Sequence, residues 1–159
     1  MAEGPAGQTQ VDLKVFEDGF VQHVPHNRAL GLRFLSCVAG GDAIVELPYS
    51  DNLIGNPDTG VIHGGAITSL LDATCGAAVF LKLLLFTPIA TLDLRIDYLK
   101  PAAPGAAVRA KAFCYKTTRS VGFARAIAYN DREDDPLASA AATFMIFAKG
   151  RSGVVPGDG

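Results

Sequence analysis

The sequence is poor in charged residues. Only 14 Lys and Arg and 16 Asp and Glu occur among 159 residues, a 19% share, whereas about 25% is usual in soluble domains. Hydrophobic residues make up 49%. So thin a polar surface favours burial of apolar surface against a second copy of the chain, and we expect an oligomer. The same composition excludes intrinsic disorder and a collagen-like fibre.

A basic surface is also missing. The net charge is -2 at pH 7, and no block of like charge occurs along the chain. Binding to a phosphate backbone needs a positively charged surface. We therefore predict that nucleic acid is not a partner.

Cysteine and histidine are scarce. Cys37, Cys75 and Cys114 lie far apart in apolar surroundings and form no C-x-x-C motif. His23 and His26 are three residues apart, but no acidic residue or cysteine accompanies them. We therefore predict reduced core thiols in a cytoplasmic protein, two surface histidines and no metal site.

Signals for export and for internal linkers are absent as well. The first ten residues, MAEGPAGQTQ, lack a basic segment followed by an apolar one, so no secretory signal is predicted. We expect one domain over residues 1–159, with mobile tails at about 1–9 and 150–159. Motifs of serine hydrolases and of nucleotide-binding loops are also missing.

One long apolar run is present. Between Val61 and Leu81 the only formally charged residue is Asp72, and apolar residues continue beyond Lys82. A charge at the centre of a membrane span costs about 2.5–3.5 kcal/mol, and glycines and hydroxyl residues dilute the run. We predict a buried helix from about Gly64 to Leu84, and no membrane partner.

Shorter segments with β-like patterns surround this helix. An amphipathic helix is predicted over Val11 to Val24, ended by Pro25, and Asp51 to Gly60 is predicted as a loop. The alternating pattern of Thr91 to Leu99 predicts a strand with one buried face, and Leu92 falls on that face. The remaining predicted strands are Leu32 to Val38, Ala43 to Leu47, Ala106 to Tyr115, Val121 to Tyr129 and Leu137 to Phe147. This order indicates an α+β fold with an antiparallel sheet.

Asp72 lies where a charge is least expected. A carboxylate within an apolar helix needs hydrogen bonds or a function to offset its desolvation. It could instead face the surface or cap a neighbouring loop, although Thr68, Cys75 and Gly76, about one turn away, provide no charged face. We interpret Asp72 as a functional carboxylate, since acids of this kind are candidate general bases.

The segment His63-Gly64-Gly65 opens the same helix. Uncovered N–H groups at a helix start can stabilise an anion, although two glycines could equally serve a tight entry turn. Asp72 follows His63 by nine residues, which is ~13 Å of helical rise. Either the two belong to one site built from two subunits, or only one of them is functional.

The segments Asn56 to Asp72 and Thr91 to Ala102 resemble the hotdog-fold acyl-coenzyme A thioesterases of the phenylacetate-pathway type. The resemblance covers about residues 30 to 148, and it is carried by the H-G-G motif with a helical Asp nine residues after its His. It implies a long central helix wrapped by an antiparallel sheet. It also implies protomers paired as a dimer or a homotetramer, with sites at the subunit interface.

The resemblance further implies hydrolysis of acyl-CoA without a metal or cofactor. Asp72 would act as general base or nucleophile, and Thr91 would help it to hold a water. The Gly64 N–H would polarise the thioester carbonyl, with Asn56 as a second donor and His63 shaping the site. Asn56 stands one residue further from His63 than is commonest in the family. The positions implied for binding coenzyme A are Gly65, Tyr98, Lys100, Arg119 and Ser120.

Two other functions remain open at this point. The same fold could bind acyl-CoA as a sensor or carrier without turnover. It could also act as an acyl dehydratase, in which His63 would pair with Asp72 across the interface. The helical Asp together with H-G-G favours the thioesterase over the binding module.

Overall fold

The computed structural model describes residues 11–40, 42–84 and 87–147, and both predicted tails lie outside these ranges. The helices are α1 (Leu13–Phe16), continued by a π-helical segment (Glu17–Gln22), then α2 (Pro25–Leu30) and α3 (Gly64–Leu83). The strands are β1 (Arg33–Cys37), β2 (Asp42–Leu47), β3 (Ile54–Asn56), β4 (Val61–Ile62), β5 (Ile89–Tyr98), β6 (Val108–Thr117), β7 (Val121–Tyr129) and β8 (Ala138–Ile146).

Six strands form one antiparallel sheet in the order β1-β2-β6-β7-β8-β5, and β3 and β4 form a separate two-stranded sheet. Helix α3 packs on the inner face of the larger sheet. The α+β architecture predicted from the sequence, a long helix against an antiparallel sheet, is therefore confirmed. Within the described residues, β5 is an edge strand, because it pairs with β8 alone.

Small side chains on the sheet allow α3 to approach closely. On β6, β7 and β8 the face towards α3 carries buried alanines: Ala110, Ala112, Ala124, Ala126, Ala128, Ala138, Ala140 and Ala142. At Gly122 on β7, a Cβ atom would come within 2.8 Å of Val79 Cγ1 on α3. The high alanine content of the last strands thus follows from the need to seat an apolar helix on the sheet.

Helix α3 is the core helix that the sequence predicts. Leu70, Leu71 and Val79 are fully buried. By length and composition this helix could cross a membrane, but 61% of its most apolar 18-residue stretch is buried inside the protein. The helix ends at Leu83, and the next residue, Leu84, has a left-handed φ of 51°. Its apolar character is therefore explained by packing against the sheet.

The N-terminal helical segment differs from the prediction. Its second half is π-helical, and Pro25 begins α2 at a position where proline is tolerated. The wider turn changes which side chains face the core. Val21 in this segment is buried, whereas Val15 in α1, which a regular helical spacing would place with Phe16 and Phe20 on the apolar face, is 47% exposed. A regular period of 3.6 residues cannot reveal such a turn.

The predicted loop from Asp51 to Gly60 contains β3, which pairs with β4 just before α3. Gly55 lies so close to His63 that a Cβ on Gly55 would come within 2.8 Å of His63 Cα. The His63 N–H also donates to Leu53 O at 2.7 Å. The prediction of a loop missed β3, because the turn-forming residues around it conceal this short pair of strands, which holds the start of α3 in place.

A β-bulge interrupts β5. Thr91 pairs with Phe144 and Asp93 with Thr143, so Leu92 is the extra residue. Leu92 is 54% exposed, and its predicted place on the buried face was wrong. Before the bulge the odd-numbered side chains of β5 face α3, and after it the even-numbered side chains do. Thr91 therefore lies on the same side of the sheet as Tyr98.

All three cysteines are free and buried, as predicted. Burial raises the pKa of Cys75 to about 12, with a smaller contribution from the charge of Asp72. Burial likewise raises the pKa of Cys37 to about 12. Thiols in this state are protonated at neutral pH and are poor nucleophiles.

Candidate active site

Asp72 lies on α3 beside the bulge of β5. Its Oδ1 atom accepts a hydrogen bond from Thr91 Oγ1 at 2.9 Å. The carboxylate is half-buried and lines a cavity of about 290 Å³, so it remains open to a ligand. One hydroxyl donor leaves lone pairs on the carboxylate free to accept a proton. The geometry suits a general base.

The rest of this cavity is mostly apolar. Its walls come from the π-helical segment, α2, α3, β5 and β8, and its apolar residues are Phe20, Val24, Ala73, Gly76, Ile89 and Phe144. We call this space the Asp72 cavity. Gly76 lies one turn after Asp72, inside the helix, where glycine costs about 1 kcal/mol relative to alanine.

The start of α3 has one free backbone donor. His63 caps the helix, and its Nδ1 accepts from Gly65 N–H at 2.9 Å. The Ala66 N–H donates to His63 O at 3.0 Å. Among the described residues, Gly64 N–H is thus the donor of this first turn that has no partner. A free N–H at a helix N-terminus can bind a negatively charged oxygen.

Tyr98 braces the first turn of α3 from the far end of β5. Its hydroxyl donates to Gly64 O at 2.8 Å and lies 2.8 Å from Thr68 Oγ1. The sequence predicts a coenzyme A contact for Tyr98. Within one chain the structure places its hydroxyl on the helix, where it orients the peptide units that follow Gly64.

A second cavity of about 300 Å³ lies beside the helix start. His63, Gly65, Ser69 and Asn52 are among its lining residues. His26 lines both this cavity and the Asp72 cavity, and its Nε2 is 3.0 Å from Ser69 Oγ. The sequence predicts only a surface histidine here, because the spacing around His26 does not show that α2 folds back onto α3.

Asn56 is used in a local turn. Its Oδ1 accepts from the Asp58 N–H at 3.0 Å, and its backbone O accepts from Gly60 N–H at 2.8 Å. The side chain is exposed at the end of β3 and does not line the cavity beside His63. Asn56 as a second oxyanion donor stays a prediction, and Asn52 is the amide that lines this cavity.

The residues predicted to bind coenzyme A fall at two ends of the sheet. Lys100 follows the Tyr98 end of β5 and forms an ion pair with Asp135. Arg119 and Ser120 lie in the turn between β6 and β7, and Ser120 O accepts from the Ile146 N–H near the Ile89 end. A strand of ten residues is about 30 Å long. One chain therefore does not bring the two groups together.

A wider depression of about 460 Å³ lies on the outer face of the sheet. Its two carboxylates are both paired with Lys111, which is 3.4 Å from Asp42 and 3.0 Å from Glu133. Because neither carboxylate is free, this surface is a poor site for proton transfer. The described residues include no group of three or more His, Cys, Asp or Glu placed to hold a metal.

Comparison with known proteins agrees with this geometry. Residues 59–136 match the thioesterase superfamily. The medium/long-chain acyl-CoA thioesterase YigI of Escherichia coli K12 is 31% identical over an alignment of 147 positions that covers 84% of this chain and 93% of that protein. This chain belongs to the thioesterase superfamily. The YigI of Salmonella typhimurium is 30% identical over 149 residues, with the same coverage.

Solved structures confirm the hotdog fold of this thioesterase. A protein of Pseudomonas aeruginosa is 42% identical, with a TM-score of 0.76 over 84% of this chain and 98% of that one. A mutant of the phenylacetic acid degradation protein PaaI from Thermus thermophilus is 26% identical, with a TM-score of 0.67 over 78% and 100%. The predicted resemblance is confirmed, and the protein is a thioester hydrolase, as predicted.

The thioesterase should depend on the hydroxyl of Thr91. Thr91→Val removes the donor that holds Asp72 but keeps the shape of the side chain, so kcat for thioester hydrolysis should fall about tenfold. Thr91→Ser keeps the hydroxyl and should retain most of the activity. The measurement is steady-state release of free thiol. Equal activity of the Val and Ser variants would contradict a role for this hydrogen bond.

Proposed function

We propose that this thioesterase hydrolyses acyl-CoA, with medium or long acyl chains, to a free acid and coenzyme A. The observation that carries the proposal is the Asp72 carboxylate, which accepts a hydrogen bond from Thr91 and lines a mostly apolar cavity. The substrate named for YigI, which spans nearly the same length of chain, supports acyl-CoA as the thioester. No metal or cofactor takes part in this scheme, and we expect the protein in the cytoplasm.

In the proposed reaction Asp72 removes a proton from a water positioned with the help of Thr91. The water oxygen attacks the thioester carbonyl carbon and forms the new C–O bond. The carbonyl oxygen becomes an oxyanion, which accepts a hydrogen bond from a Gly64 N–H. The intermediate collapses, the C–S bond breaks, and the departing thiolate takes the proton from Asp72. The products are the carboxylic acid and the thiol of coenzyme A.

The two functional groups of this scheme come from different subunits. Along α3, Gly64 and Asp72 are separated by eight residues, or ~12 Å. The free edge of β5 could pair with β5 of a second copy in antiparallel fashion. Such a twofold pairing lays the Tyr98 end of one strand beside the Thr91 end of the other, and so brings Gly64 of one subunit towards the partner's Asp72.

The same pairing brings together the separated positions for coenzyme A. Lys100 of one subunit would approach Arg119 and Ser120 of the partner subunit. Basic side chains on either side could then contact the phosphates of coenzyme A. The ion pair with Asp135 holds Lys100 at the surface, where such a pair contributes little to stability and can give way to a ligand.

Thiol release from a panel of acyl-CoA esters tests the proposed activity. A thioesterase releases thiol from at least one chain length, whereas a binding module binds the esters without release. A dehydratase instead interconverts 3-hydroxyacyl-CoA and 2-enoyl-CoA with the thioester intact. Loss or gain of the conjugated enoyl absorbance, without free thiol, would therefore favour the dehydratase and overturn the proposal.

Mixed dimers test whether subunits share the site. Dimers with Asp72→Asn in one chain and Gly64→Pro in the other carry one doubly altered site and one intact site. They should regain about half of wild-type activity, whereas each variant alone stays inactive. Two purification tags isolate the mixed dimer, and thiol release reports its activity. An inactive mixed dimer would show that Asp72 of one subunit and Gly64 of the other do not act in the same site.

A further inference from the structure

Gly76 is a glycine that neither the backbone nor the packing requires. Gly31, Gly40, Gly60 and Gly105 have positive φ angles. At Gly55, Gly65 and Gly122 an added Cβ would meet a neighbouring atom within 2.8–2.9 Å. Gly76 has ordinary helical geometry, and the nearest atom to an added Cβ is 3.5 Å away. Alanine would fit there and would favour the helix.

Gly76 lines the Asp72 cavity, and a Cβ added to it would make ordinary van der Waals contact with two other lining residues. A Cβ at this position would point at Ile89 Cδ1, 3.5 Å away, and at Phe144 Cε1, 3.6 Å away. Both side chains line the cavity with Gly76. Asp72 lies ~6 Å back along the helix, and Thr91 lies two residues from Ile89 on the same face of β5. The cavity thus extends from the carboxylate to a floor made by Gly76, Ile89 and Phe144.

The floor offers no partner for a polar group. Its three residues carry no side-chain donor or acceptor. The polar side chains of the cavity belong to other lining residues, among them Asn27, whose Nδ2 donates to Phe20 O at 2.8 Å, and His26, which lies 3.0 Å from Ser69 Oγ. A hydroxyl buried at this floor would stay unpaired, which is unfavourable. The chemistry suits an alkyl chain without polar substituents.

We propose that Gly76 sets the length of acyl chain that this thioesterase accepts, and that the chain is an unsubstituted alkyl group. This inference rests on the proposed function, because it takes the thioester carbonyl to lie at Asp72. The alkyl chain then runs along α3 and passes Gly76. A methyl group at position 76 would narrow the cavity there and would obstruct only chains long enough to reach it.

The test compares Gly76→Ala with the double variant Gly76→Ala/Ile89→Val across straight-chain acyl-CoA esters from acetyl to palmitoyl. Gly76→Ala should lower kcat/KM for the longest good substrates about tenfold or more, and leave acetyl-CoA within about twofold. Ile89→Val removes the methyl group nearest the new Cβ. The double variant should therefore recover the long chains to within about threefold of wild type.

Thermal unfolding separates this effect from damage to the fold. Gly76→Ala should raise Tm by roughly 2–4 °C, because alanine favours the helix, while it lowers activity on long chains. An equal loss at every chain length, or a double variant no better than Gly76→Ala, would overturn the proposal. An ω-hydroxyacyl ester should be about tenfold poorer than its alkyl counterpart. Equal rates would overturn the alkyl assignment.

Binding of non-hydrolysable S-alkyl-CoA thioethers distinguishes this inference from the proposed activity. Titration calorimetry of the wild type should show affinity that rises with chain length, and Gly76→Ala should bind the long thioethers about tenfold more weakly. If no ester is hydrolysed but this pattern holds, the proposed hydrolysis fails and the alkyl site stands. If affinity does not depend on chain length, the role of Gly76 is refuted even when hydrolysis occurs.

Discussion

Asp72→Asn should lower kcat for acyl-CoA hydrolysis by about 10²–10⁴-fold, the usual contribution of a general base. Asparagine has nearly the same size, and its amide oxygen can still accept the 2.9 Å hydrogen bond from Thr91. It cannot take a proton from water at neutral pH. The substitution therefore removes proton transfer and leaves the cavity intact.

The measurement is steady-state thiol release, with KM reported beside kcat. Asp93→Asn serves as the matched control, because Asp93 is an exposed carboxylate on β5 that follows the bulge and faces away from α3. The Asp93→Asn substitution removes the same charge as Asp72→Asn, and this variant should keep wild-type activity. If Asp72→Asn kept activity within a few-fold of wild type, Asp72 would not be the base.

Gly64→Pro should lower kcat by about 10²–10³-fold, the contribution measured for one oxyanion donor. Proline lacks the backbone N–H, and Gly64 is the first residue of α3, where proline is well accepted. His63 has φ −62° and ψ 135°, the extended conformation favoured before proline. The fold should therefore accommodate the substitution while the donor is lost.

Gly64→Ala is the matched control for this donor. It adds a Cβ atom whose nearest contact is Tyr98 Oη at 3.4 Å, and it keeps the N–H. We expect near-normal kcat for the alanine variant and an unchanged far-UV circular dichroism spectrum for both. Equal loss in the two variants would assign the effect to the side chain and would exclude the N–H as the donor.

The sequence alone predicts much of the architecture and the two ends of the site. The apolar run contains one carboxylate, Asp72, and the structure places it beside Thr91. The helix start at His63-Gly64-Gly65 is also where it was predicted. These features are local, because they depend on composition and on residue spacing within a single helix.

Features that depend on contacts between distant segments could not be predicted. His26 meets Ser69 across 43 residues of sequence, and no local pattern encodes that meeting. The π-helical segment has the composition of an ordinary amphipathic helix. The bulge at Leu92 follows from the register of β5 against β8, and strict alternation over Thr91 to Leu99 conceals it.

The bulge changes which positions of β5 face α3. Beyond it Leu94, Ile96 and Tyr98 face α3, whereas before it Ile89 and Thr91 do so. The bulge thus separates the half of the strand that contacts Asp72 through Thr91 from the half that contacts the helix start through Tyr98. Without Leu92, Thr91 and Asp93 would be neighbours opposite Phe144 and Thr143, and β5 would pair regularly with β8 with the same side chains facing α3. The extra residue therefore bends the strand between the two ends of the site without exchanging the residues that lie at either end.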